Sequence, residues 1–248
     1  MIWVIGGTKD SRDFIESFPF KEKLIVTTAT EYGGKLLENV SEIRVLSKRM
    51  NLDEINEFVK LEKISKIVDL SHPYAVEISK NAMEVALKYD LEYIRFERES
   101  LEEEEGVIYF NDISKMINYL EKLTGNILVT LGSNNLEKFK ELLNLSNIYF
   151  RILPKWDMVK KAEENGILPK NIIAMQGPFS KELNIAMMKQ LNIKYLVSKK
   201  GGNTGGEQEK IDATKEVGAI SLFLSKPIIE YPIFFENIDI LLKYLLKR

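Results

Sequence analysis

Short apolar runs alternate with amphipathic stretches along the whole chain, and most of the runs end in glycine, proline or hydroxyl-bearing residues. The runs lie at 3–5, 24–28, 43–46, 67–70, 93–96, 107–110, 127–130, 149–153, 172–175, 195–197 and 220–224, with helical patterns between most of them. This order predicts an α/β chain whose sheets are mainly parallel, with helices on both faces. Sheets of this kind bind ligands beyond the carboxyl ends of their strands. The residues just after each run are therefore the first place to look for chemistry.

The richest of these positions is 67–75, IVDLSHPYA, which holds the only histidine of 248 residues. Ile67, Val68 and Leu70 read as a buried strand, Pro73 pushes His72 towards extended geometry, and a helical pattern begins at Ala75. Asp69, Ser71, His72 and Tyr74 crowd one turn with hydrogen-bonding groups. Such a turn can position and protonate a ligand, or it can merely cap the helix that follows.

Gly6-Gly7-Thr8 follows the first run and precedes a helix, so its backbone can approach a phosphate at the helix N-terminus. A tight strand-to-helix turn has the same residues, and the full G-x-G-x-x-G fingerprint is absent. The second run ends in Thr27 and Thr28, where an NAD-specific site usually carries an acid. After the third run come Ser47, Lys48 and Arg49, which can hold a 2′-phosphate or form a solvated basic turn. Arg95 interrupts an apolar run, so its guanidinium needs an anion or a buried carboxylate; Arg98 follows just beyond. Residues 198–206, SKKGGNTGG, can wrap an anionic ligand, close as a lid or serve as a plain flexible loop. The acidic run 102–105 before Gly106 marks the expected domain boundary.

Composition removes other classes. With no cysteine and one histidine, thiolate nucleophiles, thiolate zinc sites and multi-histidine metal sites are excluded. A net charge of −2 argues against a nucleic-acid partner. No segment approaches the ~20 apolar residues of a membrane span, and the start MIWVIGG lacks the form of a signal peptide. A cytoplasmic protein is expected, with no membrane partner and no metal-site motif, an oxygen-liganded Mg²⁺ staying open. A short-chain carbonyl reductase would need a Tyr-x-x-x-Lys pair; Tyr119 has Leu123 four residues later.

These landmarks, in this order, resemble the precorrin-6A reductases of cobalamin biosynthesis along nearly the whole chain. The resemblance rests on Gly6–Thr8, the Arg49 turn, Asp69–Ala75 (D-L-S-H-P-Y-A, where the family commonly has D-A-T-H-P-Y-A) and Arg95-Phe96-Glu97-Arg98. It continues through Thr130–Ser133, Arg151–Pro154, Gln176–Ser180 with Asn184, and Gly205-Gly206 followed by Glu209-Lys210. Leu70-Ser71, Leu131, Ser133 and Lys200-Gly201 depart from the usual pattern. The resemblance implies two Rossmann-like domains, 1–101 for the dinucleotide and 102–248 for the substrate and the glycine-rich loop, with a ligand cleft between them. It implies NADPH-dependent reduction of one macrocycle double bond in precorrin-6A or its cobalt form, with composition leaning towards the cobalt form. The expected cofactor contacts are Gly6, Gly7, Thr8, Thr28, Lys48 and Arg49. His72 and Tyr74 are the candidate proton donors, with water or a substrate carboxyl as the alternative. Ser71, Arg95, Ser133, Ser180, Lys199, Gly205 and Gly206 are the expected contacts to the carboxylate-rich tetrapyrrole, and other corrin-pathway enzymes are candidate partners. A non-catalytic dinucleotide-binding module is the alternative of a different class.

Overall fold

The computed structural model describes every residue except 38, 39, 41, 100, 101, 143, 144, 202–204 and 248. The chain divides into two compact units, Met1–Glu99 with Pro227–Arg248, and Ser100–Lys226.

The first unit runs β1 (Ile2–Ile5), α1 (Lys9–Ser17), β2 (Leu24–Thr28), α2 (Glu31–Lys35), β3 (Arg44–Ser47), α3 (Leu52–Leu61), β4 (Lys66–Asp69), α4 (Val76–Lys88) and β5 (Glu92–Phe96). The second runs β6 (Val107–Phe110), α5 (Ile113–Leu120), β7 (Asn126–Val129), β8 (Ile148–Ile152), α6 (Trp156–Glu164), β9 (Ile172–Ala174), α7 (Lys181–Gln190), β10 (Ile193–Lys199), α8 (Glu207–Val217) and β11 (Ile220–Leu224). The chain then returns to the first unit with β12 (Phe234–Phe235) and α9 (Ile238–Leu246).

That return corrects the expected domain limits, which left everything after residue 102 in the second domain. Phe234 and Phe235 pair in parallel with Arg95 and Phe96, while Leu241 and Leu245 of α9 join the core that holds Phe14 and Ile15. The physical reason is edge coverage: β5 would otherwise present its unpaired backbone groups to solvent. Three apolar residues, Ile233–Phe235, between Pro232 and Glu236 carry too little periodicity to read as a strand.

The first sheet has the order β3-β2-β1-β4-β5-β12 and the second β6-β11-β10-β7-β8-β9, six strands each. All their pairings are parallel. In β1 the pleat sends Val4 into the core with α1 and α9, and Trp3 and Ile5 into the core with α3 and α4. Both faces being covered, the strands read as continuous apolar runs. The second unit repeats this arrangement, with Met116 and Ala162 in one core and Met188 and Ala213 in the other. Strand order reverses between β1 and β4 in the first sheet and between β7 and β10 in the second. The turns after those four strands therefore flank the two topological switch points, where open α/β sheets bind ligands. Among the described residues no helix is long and apolar enough to cross a membrane.

Candidate functional site

At the switch point of the first sheet two turns meet. The Thr8 hydroxyl donates to the Leu70 carbonyl at 2.8 Å, tying the glycine turn after β1 to the histidine turn after β4. Thr8 also caps α1 by accepting from the Ser11 amide, while Ser11 Oγ accepts from the Gly7 and Thr8 amides, each at 3.1 Å. Gly7 has φ +105°, a region that suits glycine, and a β-carbon there would meet open space. At Gly6 a β-carbon would press on Val26 and Ser11 at 3.2 and 3.3 Å, so those side chains would have to give by a few tenths of an ångström. This is a tight strand-to-helix turn with open space beside Gly7. The amides of Gly7 and Thr8 are already taken by Ser11, which leaves the first amides of α1, at Lys9 and Asp10, for an anion. The Asp10 carboxyl lies at the same helix start. Burial raises its pKa, and Arg98 pairs with it and opposes that rise.

His72 is exposed, and its Nδ1 accepts from the Tyr74 amide at 3.2 Å. That bond favours the tautomer with its proton on Nε2. The Tyr74 ring lies 5.5 Å from the imidazole, centre to centre.

Beneath this turn is a buried network that the sequence did not reveal. Asp69 accepts four bonds: from the Ser71 amide, Arg95 Nη1, Ser79 Oγ and Tyr93 Oη, at 2.6–2.9 Å. Arg95 also reaches Glu97 at 2.7 Å and the Ser71 hydroxyl and carbonyl at 3.0 Å. Tyr231, from the returning segment, donates to Glu97 and lies under the Arg95 guanidinium. Arg95 stays charged because the attraction of Asp69 and Glu97 outweighs burial, and Tyr93 stays protonated because burial and Asp69 both raise its pKa.

The expected role of Arg95 is thereby corrected. Its side chain and that of Asp69 are 0% exposed, and its guanidinium is spent on the protein's own acceptors. Ser71 is buried and committed to Arg95. Arg98, read beside Arg95, pairs with Asp10 and Asp13. Thr28 is also internal: its hydroxyl donates to the Thr30 carbonyl at 3.0 Å and contacts Ser47 Oγ. Beyond β3, Lys48 pairs with Glu54 at 2.5 Å, and Arg49 is exposed. A cavity of about 920 Å³ opens beside them, lined by Thr27, Leu46, Ser47, Met50 and Phe58 among others.

In the second unit Ser133 follows Gly132 after β7 and contacts the Met158 sulfur. Ser180 caps α7 through the Leu183 amide at 3.3 Å. Lys199 ends β10, and burial lowers its pKa. Gly206, in the left-handed region at φ +62°, starts α8, and Gly205 precedes it with its carbonyl bonded to Lys210 Nζ at 2.7 Å. Thr204 of the glycine-rich loop lies outside the described residues. No role for Arg151, Asn184 or Lys210 is legible in the sequence, although Arg151 interrupts its apolar run as Arg95 does.

Residues 1–246 match the family described as precorrin-6x reductase CbiJ/CobK. The chain is 34% identical to the cobalt-precorrin-6A reductase of Methanocaldococcus jannaschii, covering 98% of this chain and 96% of the relative. It is 31% identical to the cobalt-precorrin-6A reductase of Priestia megaterium, covering 96% and 95%. A solved structure, CobK precorrin-6A reductase, superposes with a TM-score of 0.77 at 16% identity, over 99% of this chain and 96% of that one. At that identity the superposition speaks to fold.

Proposed function

Since the chain belongs to the precorrin-6x reductase CbiJ/CobK family, we propose that it is a cobalt-precorrin-6A reductase that uses NADPH to reduce one double bond of the macrocycle. Membership makes it an oxidoreductase. The cobalt form of the substrate is favoured because the relatives above 30% identity carry that name, whereas precorrin-6A reductase of Mycobacterium tuberculosis stands at 22%.

The observation that carries the reading is the Thr8–Leu70 bond. It supports one site in which Gly6, Gly7, Thr8 and the start of α1 receive the dinucleotide phosphates beside His72 and Tyr74. The open space at Gly7 and the helix start fit such a group. NADPH, when bound, supplies the hydride. The protein's task is alignment, which can account for much of the rate. Lys48 and Arg49 are proposed to hold the 2′-phosphate, favoured by the absence of an acid at the end of β2. Neutral His72 is proposed to orient the macrocycle through Nε2–H; to donate the proton that balances the hydride it would have to be imidazolium, with Nδ1 protonated and released from the Tyr74 amide, and would return to neutral imidazole. Ser133, Lys199, Gly205 and Gly206 remain proposed substrate contacts.

The test is anaerobic turnover of cobalt-precorrin-6A with NADPH, followed by absorbance. Stoichiometric NADPH binding without oxidation by any corrinoid would reverse the conclusion in favour of a regulatory module. Within a working enzyme, loss of a sole general acid typically costs ~10²–10⁴-fold in turnover. Loss of a contact shared by ground and transition states raises KM alone. His72→Asn keeps a hydrogen bond and His72→Ala does not. Alanine is expected to be the worse of the two; folded variants with normal kinetics would remove His72 from the site.

A further inference from the structure

At the carboxyl edge of the second sheet Arg151 is 6% exposed, yet among the described residues no carboxylate pairs with it. Its Nη1 donates to Asn184 Oδ1 at 2.8 Å and also touches the Met187 sulfur. Its guanidinium carbon lies 4.3 Å from the centre of the Phe179 ring. Nε and Nη2 are bonded to no described residue. Arg95, the arginine inside a strand of the first sheet, is buried with two carboxylates. An unpaired buried cation is costly unless something else supplies the charge.

The surroundings of Arg151 are built rather than incidental. Asn184 is fully buried and is held by donating to the Ser180 carbonyl at 2.9 Å, which fixes the oxygen that holds Arg151. Gly206 at the start of α8 approaches the same loop: a β-carbon there would lie 3.6 Å from Pro178 and 3.8 Å from the Phe179 carbonyl. One turn into α8, Lys210 Nζ is tied to the Gly205 carbonyl. Burial, then repulsion from Arg151 and Lys199, pushes the Lys210 pKa down to about 8, against the weaker pull of Glu207 and Glu209. Glu207 is turned to the Gly201 amide at 2.8 Å. The local balance is cationic in a chain of net charge −2.

We propose that Arg151 and Lys210 form a subsite for one carboxylate of the macrocycle, with Phe179 as its wall and Asn184 holding the guanidinium in register. The planar fork of Nε and Nη2 matches a carboxylate through two parallel bonds, and Lys210 supplies the second charge. This assignment rests on the reading of the chain as a tetrapyrrole reductase, and it replaces Arg95 as the buried arginine that meets substrate.

Two measurements decide it. In the first, the native protein is labelled at pH 8 with an amine-acylating reagent, and Lys210 is followed by peptide mass spectrometry with succinate or inorganic phosphate present. Succinate is expected to slow labelling of Lys210 in the wild type and not in Arg151→Gln. No protection by either anion, or stronger protection by phosphate, overturns the carboxylate assignment. In the second, cobalt-precorrin-6A binding is measured anaerobically without NADPH. Arg151→Gln and Lys210→Gln are each expected to weaken it about 30-fold or more, the usual consequence of removing one member of a buried charged contact. NADPH affinity should hold, and Arg151→Lys should recover part of the loss. Weakening confined to NADPH, or folded variants that bind the macrocycle normally, defeats the subsite. Succinate protection in a wild type that does not bind the macrocycle would instead leave the subsite standing and remove the enzyme reading.

Discussion

Replacing Arg95 with Met keeps the length and apolar stem of the side chain but removes its charge and its donors. Asp69 then keeps the bonds from Ser71, Ser79 and Tyr93 but loses the only cation paired with it among the described residues. Both side chains are 0% exposed, so water cannot take the place of the lost partner. Breaking a buried pair from one side costs about 3–5 kcal/mol, a large share of the ~5–15 kcal/mol that holds a typical domain folded. Glu97 and Tyr231 lose the same anchor, so the returning segment should loosen as well. Urea unfolding read from Trp3, buried in this unit, measures the effect; a Trp156→Phe background removes the exposed second tryptophan. Adding Asp69→Asn to Arg95→Met removes the stranded charge and should restore part of the loss. A loss below about 1 kcal/mol in Arg95→Met, together with a raised KM in a well-folded enzyme, would refute the structural role and return Arg95 to the substrate.

Arg49→Ala should weaken NADPH and leave NADH unchanged in fluorescence titrations; equal effects on both would remove the 2′-phosphate contact. The folded protein releases the Lys210 proton near pH 8, whereas the unfolded chain keeps it to about the ordinary 10.5. The unfolded state therefore binds more protons in that window, and stability should rise with pH across it. Lys210→Met should reduce that rise below the value of about 10 to which burial pushes Arg151, leaving the share of Lys199, whose pKa burial also lowers; an unchanged slope in urea titrations would show that Lys210 is not the source. Gly7→Ala meets no neighbouring atom but must hold φ at +105°, so its cost should be backbone strain of about 1–3 kcal/mol in thermal melts.

What the sequence determines here is what local chemistry determines. Alternating apolar runs and amphipathic helices dictate parallel sheets covered on both faces, because no other arrangement buries those runs while satisfying their backbones. Hence strands such as Leu24–Thr28, Val107–Phe110 and Ile220–Leu224 are legible to the residue. So is the place of His72 after a strand, since Pro73 and the helical pattern beyond it are local signals. Partnership is not local. Arg95 and Arg151 look alike in sequence, each an arginine inside an apolar run. Only tertiary structure gives one of them Asp69 and Glu97, and leaves the other with Asn184 and an aromatic ring. The return of Phe234–Phe235 to the edge of β5 is of the same kind. A two-residue strand has almost no pattern of its own, and what seats it is an unpaired edge that the fold creates far away in sequence.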